Sequence, residues 1–315
     1  MLLGERAERC MPFQGKRNAW IVFVICFVLP TCMPISNAPL NGPGPSGKLG
    51  KIEGQRTFGD EVLSNDELHV TILGQGREVY LRNCRVCHGD RGDGKGEYAR
   101  VLRTKPRDFT AGTYKFRSTQ TGALPTDADL MRTLLRGIPK SGMPSFSGLD
   151  EEERLAVIVY IKSLSPRFAT SQIEEPILIP PMPAKSLKSI RKGSELYGKM
   201  GCAACHGNSG NGRGPVALEL LDDSGAQSLP ADLTDSSWKG GCKGRDLYRT
   251  IMTGLDGSPM PSFGEQLEPD EAWALVHYIQ SLPREGILFE APGLRPPEHV
   301  LNPLTLQTDS GQNPR

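Results

Sequence analysis

Two stretches of this chain pair residue types with spacings that do chemistry: Cys84-Arg85-Val86-Cys87-His88 and Cys202-Ala203-Ala204-Cys205-His206. A Cys-x-x-Cys-His run puts two thiols on one helical turn, where each can bond a vinyl group of a haem, and the next imidazole then reaches the iron. With 8 Cys and 5 His in the chain, chance supplies about 0.003 copies of this pattern. Two are present. A thioredoxin-like thiol pair or half of a zinc site also uses Cys-x-x-Cys. A zinc site needs a second cysteine pair in each unit, and none stands there; a thiol pair has no need of the adjacent His. The sequence therefore predicts two covalently bound haem c groups, attached at Cys84, Cys87, Cys202 and Cys205, with His88 and His206 as iron ligands.

The iron's sixth position is the next question, and two methionines answer it. Met143 follows His88 by 55 residues and Met260 follows His206 by 54, each opening a Met-Pro-Ser-Phe run. A thioether is a soft ligand that favours reduced iron and so raises the potential. Most methionines only fill gaps in cores. The repeated position assigns Met143 and Met260 to iron, whereas Met131 and Met252 align with Tyr248 and Leu135 and read as packing.

These residues must be held by a framework, and the chain repeats one. Gly76-Arg77-Glu78-Val79-Tyr80 precedes the first motif and Gly193-Ser194-Glu195-Leu196-Tyr197 the second, with His88 and His206 118 residues apart. Asp129-Leu130-Met131-Arg132-Thr133 matches Asp246-Leu247-Tyr248-Arg249-Thr250, and Tyr160-Ile161-Lys162-Ser163-Leu164 matches Tyr278-Ile279-Gln280-Ser281-Leu282. The order of markers is preserved, which is the signature of duplication. The units run over 74–165 and 191–283. Between them, 166–190 holds Pro176, Pro180, Pro181 and Pro183 and reads as an extended linker. The Gly- and Pro-bearing segment 39–73 and the tail 284–315 are expected to be irregular. Within the units helices are expected: Asp150 and Glu153 form a capping box ahead of the apolar run 156–161, and Pro269 takes a first helical position ahead of Trp273, Val276 and Ile279.

With these motifs in place, each unit resembles a class I cytochrome c domain: Gly-x-x-x-Tyr, then Cys-x-x-Cys-His-Gly, then Met-Pro-Ser-Phe, then an aromatic near the end of a closing helix. The resemblance implies an all-α fold of two tandem domains joined by the Pro-rich linker. It also implies a crossing of first and last helices near Tyr80 and Tyr160, and near Tyr197 and Tyr278. Such domains often supply a carbonyl for the proximal His Nδ1–H near a Gly-Pro pair. Gly214-Pro215 stands there in the second unit and Gly96-Glu97 in the first. Arg107, Tyr114, Lys115 and Arg117 are either propionate partners or a solvated loop.

The charge balance, 37 Lys and Arg against 36 Asp and Glu, demands neither nucleic acid nor an anionic membrane as partner. Lys16 and Arg17 precede an apolar stretch from Ala19 to Leu29 that is shorter than a bilayer span and reads as an export leader within 1–38, starting at Met1 or Met11. The leader ends either by cleavage after Ser36-Asn37-Ala38 or by lipidation at Cys32, which would anchor the chain to a membrane surface. Cys242 has no counterpart in the first unit, where Pro125 aligns with it, and reads as a quiet thiol or a disulfide half. His69, His277 and His299 are weaker candidates for iron ligation than either Met. With both irons closed by His and Met, the expected role is single-electron transfer between redox proteins in the periplasm and not bond chemistry. Two other roles remain: a haem subunit of a larger oxidase or dehydrogenase complex, and a dihaem peroxidase, which needs one iron that can open.

Overall fold

The computed structural model describes residues 49–52, 55–58, 61–63, 65–235 and 237–282. The leader with its Cys32, the tail 284–315 and His299 lie outside them. Two helical domains follow one another. In the first, α1 (Asn65–Asn83) leads into the one-turn α2 (Arg85–His88), and α3 (Asp127–Arg136) and α4 (Glu151–Ser163) close it. In the second, α6 (Leu187–Lys199), α7 (Cys202–His206), α8 (Gly244–Thr253) and α9 (Pro269–Ile279) repeat the plan. A single turn, α5 (Arg167–Thr170), opens the connection.

The first and last helices of each domain cross at a glycine. A Cβ on Gly76 would fall far inside contact distance of the Ala156 carbonyl oxygen, and one on Gly193 would do the same to Ala274. Only glycine lets the two backbones meet so closely. The tyrosine one turn on seals the crossing: Tyr80 and Tyr160 lie 5.2 Å apart by ring centroid, Tyr197 and Tyr278 5.3 Å. Each Tyr hydroxyl then donates to the glycine carbonyl just after a Cys-x-x-Cys-His run, Tyr80 to Gly89 at 2.7 Å and Tyr197 to Gly207 at 2.8 Å. The crossing thus fixes the motif to the core.

The closing helices begin as their sequences dictate. Glu153 N–H donates to Asp150 Oδ1 at 2.7 Å and Asp150 N–H to Glu153 Oε2, a reciprocal box that satisfies two orphan donors. Pro269 opens α9. The all-apolar run 156–161, whose composition also suits a strand, is helical and buries Ala156, Val157, Ile158 and Ile161.

The segment 39–73 departs from the irregular course expected. It carries a three-stranded antiparallel meander, β1 (Leu49–Ile52), β2 (Gln55–Phe58) and β3 (Glu61–Leu63), and α1 begins at Asn65. Residues 60–73 contain no Gly or Pro, and acidic Asp66 and Glu67 suit a helix's first turn. The breakers of 39–59 hid that change of composition. Likewise α6 starts at Leu187, inside the expected linker, because Ser186 accepts the Ser189 N–H and caps it. Upstream of that cap the linker lies between the domains. Ile177 N–H donates to the Ser118 carbonyl at 2.7 Å, while Ile177 and Ile179 pack against the second domain's core.

Candidate haem-binding sites

Each Cys-x-x-Cys-His run is one tight turn. His88 N–H and Cys87 N–H both reach the Cys84 carbonyl, at 2.9 and 3.1 Å. None of the four motif cysteines is taken up in a disulfide. Burial pushes Cys84 up to about 12 and Cys202 up to about 11, the opposite of the activated thiolate that thiol–disulfide exchange uses. No group of three or more His, Cys, Asp or Glu that could hold a lone metal ion occurs among the described residues.

Both imidazoles are oriented by a carbonyl, at a place other than the Gly96 and Gly214 positions expected. His88 Nδ1 lies 2.9 Å from the Arg107 carbonyl and His206 Nδ1 2.9 Å from the Ala231 carbonyl. A carbonyl only accepts, so Nδ1 carries the proton and Nε2 is left with its lone pair for a metal. Burial lowers both imidazole pKa values, which also favours the neutral ring. Gly96 and Gly214 instead donate N–H bonds to the Cys87 and Cys205 carbonyls, closing the loop after the motif.

The two accepting carbonyls belong to a second repeated motif that constant spacing does not reveal: Pro106-Arg107-Asp108-Phe109-Thr110 and Pro230-Ala231-Asp232-Leu233-Thr234. Asp108 Oδ1 accepts from both N–H and hydroxyl of Thr110, and Asp232 Oδ1 from those of Thr234, all at 2.6–2.9 Å. These local turns hold the preceding carbonyl toward the ring. Phe109 N–H and Leu233 N–H tie them back to Gly92 and Gly210, and Phe109 stacks on His88 at 4.4 Å. The motif follows its His by different intervals, 19 residues to the carbonyl in one domain and 25 in the other. A search at constant offset passes over it; a search for Pro-x-Asp-x-Thr finds both.

Met143 and Met260 sit half-buried on matching loops. Each loop is closed by an N–H bond to the methionine's own carbonyl, from Ile138 at 3.1 Å and Leu255 at 3.0 Å. The rest of Met-Pro-Ser-Phe fastens the loop to the preceding helix. Ser145 and Ser262 hydroxyls donate to the carbonyls of Leu135 and Met252 at 2.6 Å, and the Phe146 and Phe263 N–H groups reach Leu134 and Ile251. These are the orphan carbonyls at a helix C-terminus. Met131 and Met252 pack against the two cores, as expected.

The four candidate propionate partners separate. Arg117 is fully buried and paired with Asp256 of the second domain at 2.8 Å, so it is neither a solvated residue nor free for a propionate. The Tyr114 hydroxyl is buried without a hydrogen-bond partner among the described residues. Lys115 is half-buried, its amine pushed down by burial and by Arg107. An orphaned hydroxyl beside desolvated cations suits an incoming carboxylate. Together with two thiols, a free imidazole Nε2 and a thioether per domain, these donors fit a haem c group. His277 is buried against α6 with Nδ1 2.9 Å from Ser189 Oγ, and His69 is exposed. Cys242 is half-buried and disulfide-bonded, so it is no quiet thiol.

Known proteins share this plan. The Cytochrome c family model matches residues 74–165 and again 190–283. The chain is 27% identical over 229 residues to a Cbb3-type cytochrome c oxidase subunit CcoP of Azospirillum brasilense, covering 71% of this chain and 66% of that one. It is 24% identical to the corresponding subunit FixP of Azorhizobium caulinodans, covering 71% and 64%. The chain thus spans slightly under two thirds of the length of these relatives. Among solved structures, a chain of the Kuenenia stuttgartiensis reducing HAO-like protein complex is 41% identical, with a TM-score of 0.65 over 66% of this chain and 96% of that one. The chain belongs to the cytochrome c family, with two all-α cytochrome c domains in tandem and two covalently bound haem c groups.

Proposed function

We propose that this chain is the dihaem electron-transfer subunit of a larger redox complex, and not a free carrier. The observation that carries the reading is the solved relative: a chain covered over 96% of its length at 41% identity is one component of an HAO-like complex. The oxidase relatives are named as subunits too. In this reading Cys84, Cys87, Cys202 and Cys205 would hold the haems, and His88 with Met143 and His206 with Met260 would ligate their irons. Bound haem c supplies a one-electron couple, which His/Met ligation places at high potential. The chain's own residues orient the imidazoles through the Arg107 and Ala231 carbonyls, and with Met143 and Met260 bound as well neither iron would offer a position for substrate. The chain then exchanges electrons with redox proteins and carries out no bond chemistry of its own. We place it on the exported side of a membrane, with export or lipidation at Cys32 read from the leader. Among the described residues no helix is long and apolar enough to cross a membrane.

Two measurements test this. Gentle purification of the native protein should return it with a second redox protein; recovery only as a monomer would restore the free-carrier reading. A spectroelectrochemical titration with near-infrared spectra should show two high-potential His/Met centres. A high-spin centre that binds carbon monoxide rapidly would instead favour a dihaem peroxidase.

A further inference from the structure

The loop that bears Met260 is held by the other domain. Asp256, four residues before Met260, gives both carboxylate oxygens to the first domain: Oδ1 accepts from Arg117 at 2.8 Å and from the Thr121 hydroxyl at 2.9 Å, and Oδ2 from the Gly122 N–H at 2.8 Å. Arg117 also donates to the Thr253 carbonyl, where α8 runs into this loop, at 2.9 Å. The remaining Arg117 donors go to the Gln120 and Tyr114 carbonyls of its own domain. Its side chain is wholly buried, and that of Asp256 is 15% exposed. Removing one partner of such a pair leaves a buried charge uncompensated.

We propose that Arg117 is a positioning residue for Met260: by gripping Asp256 and the end of α8, it makes the thioether of the second domain, and hence the potential of that haem, depend on the first domain. The inference rests on Met260 being an axial ligand. The loop is short and closed by the Leu255-to-Met260 bond, so movement of Asp256 reaches Met260 through only four residues. The reverse grip is weaker. The end of α3 and the Met143 loop meet the second domain through Arg136, which donates to the Lys239 and Gly240 carbonyls, and through the pair of Lys140 with Asp235, both well exposed. Among the described residues no buried ion pair acts on this loop, and exposed pairs hold little. The arrangement is therefore directional, with the second haem the dependent one.

The test uses the full-length holoprotein. Met260→Ala first identifies which potential belongs to the second domain; if neither centre responds, the ligand assignment itself fails. Arg117→Met and Asp256→Asn should then each lower that same potential and weaken the near-infrared His/Met band of one haem in two, with the other centre unmoved and Arg117→Lys restoring some of the shift. Equal movement of both centres, or of neither, overturns the proposal. If the buried variants do not fold, Thr121→Val removes one exposed donor to Asp256 and leaves the ion pair. It should shift the second potential in the same direction by less, and no shift at all counts against the proposal.

Discussion

The residues proposed to face the irons and the residues that aim them differ in how openly the sequence declares them. Cysteine, histidine and methionine are rare types at nearly constant spacing, so Cys84 to His88, Cys202 to His206, Met143 and Met260 are legible as a set. The aiming groups are backbone carbonyls, which have no residue type, and Arg107 and Ala231 share nothing but their place between Pro and Asp. Asp129 lies between these cases: its match with Asp246 is plain in the sequence, its task is not. The carboxylate is fully buried and accepts from Ser118 N–H and hydroxyl, Thr126 N–H and Arg132. Burial alone would raise its pKa, but these donors hold it below the ordinary range. A carboxyl depressed in the folded state stabilises the fold above its unfolded pKa of about 4 and loses that contribution as the pH falls through the lower folded value. Asp129→Asn should cost about 2 kcal/mol near neutral pH and flatten the fall in stability below about pH 4. Denaturant titrations from pH 7 to 3 check this, and a variant with the wild-type slope would remove Asp129 as a source of acid sensitivity.

Helices were easier to anticipate than their meeting points. Capping boxes and Pro269 announce where α4 and α9 begin because capping is a local interaction. The crossing of α1 with α4 is not local, and its glycine reads in sequence as a poor helix residue. Gly76→Ala or Gly193→Ala should therefore reverse the usual helix preference for alanine and destabilise by about 3 kcal/mol or more, since the added methyl forces the crossing backbones apart. Thermal unfolding of the holoproteins measures it; a stabilised variant would mean the crossing is looser than it stands. Lys140 shows the same tension in a loop. It is the sole non-glycine residue with positive φ among the described residues, at 59°, and Gly257 takes the matching place at 72°. Left-handed backbone costs a Cβ-bearing residue about 1–2 kcal/mol, against about 0–1 kcal/mol returned by an exposed pair with Asp235. Lys140→Gly should leave stability unchanged or raise it by about 1 kcal/mol, and a loss above about 1 kcal/mol would show that the Asp235 contact is stronger than exposed pairs usually are.

Two domains joined by a proline-bearing linker read, in sequence, as beads on a string, because no local pattern reports a contact made far along the chain. The molecule is more tightly coupled than that. The interface has an approximate reciprocity: Arg117 of the first domain binds the end of α8 in the second, and Arg136 at the end of α3 donates to the Lys239 and Gly240 carbonyls of the second, at 3.0 and 2.8 Å. Lys239 returns a bond to Thr104, and the linker's Ile177 is fastened to the first domain by its backbone and to the second by its side chain. Domains that share so many partners should not melt independently, although weakly packed tandem domains commonly do. The holoprotein is expected to unfold in one transition, with the haem absorption bands and the far-ultraviolet helix signal changing together. Arg136→Ala removes two bonds that only cross the interface, at a cost of about 1–3 kcal/mol, and leaves both haem sites and the Arg117 pair in place. It should split the transition into two while each haem keeps its potential under native conditions. Two separate transitions in the unsubstituted protein would mean that the interface holds the domains in register without joining them thermodynamically.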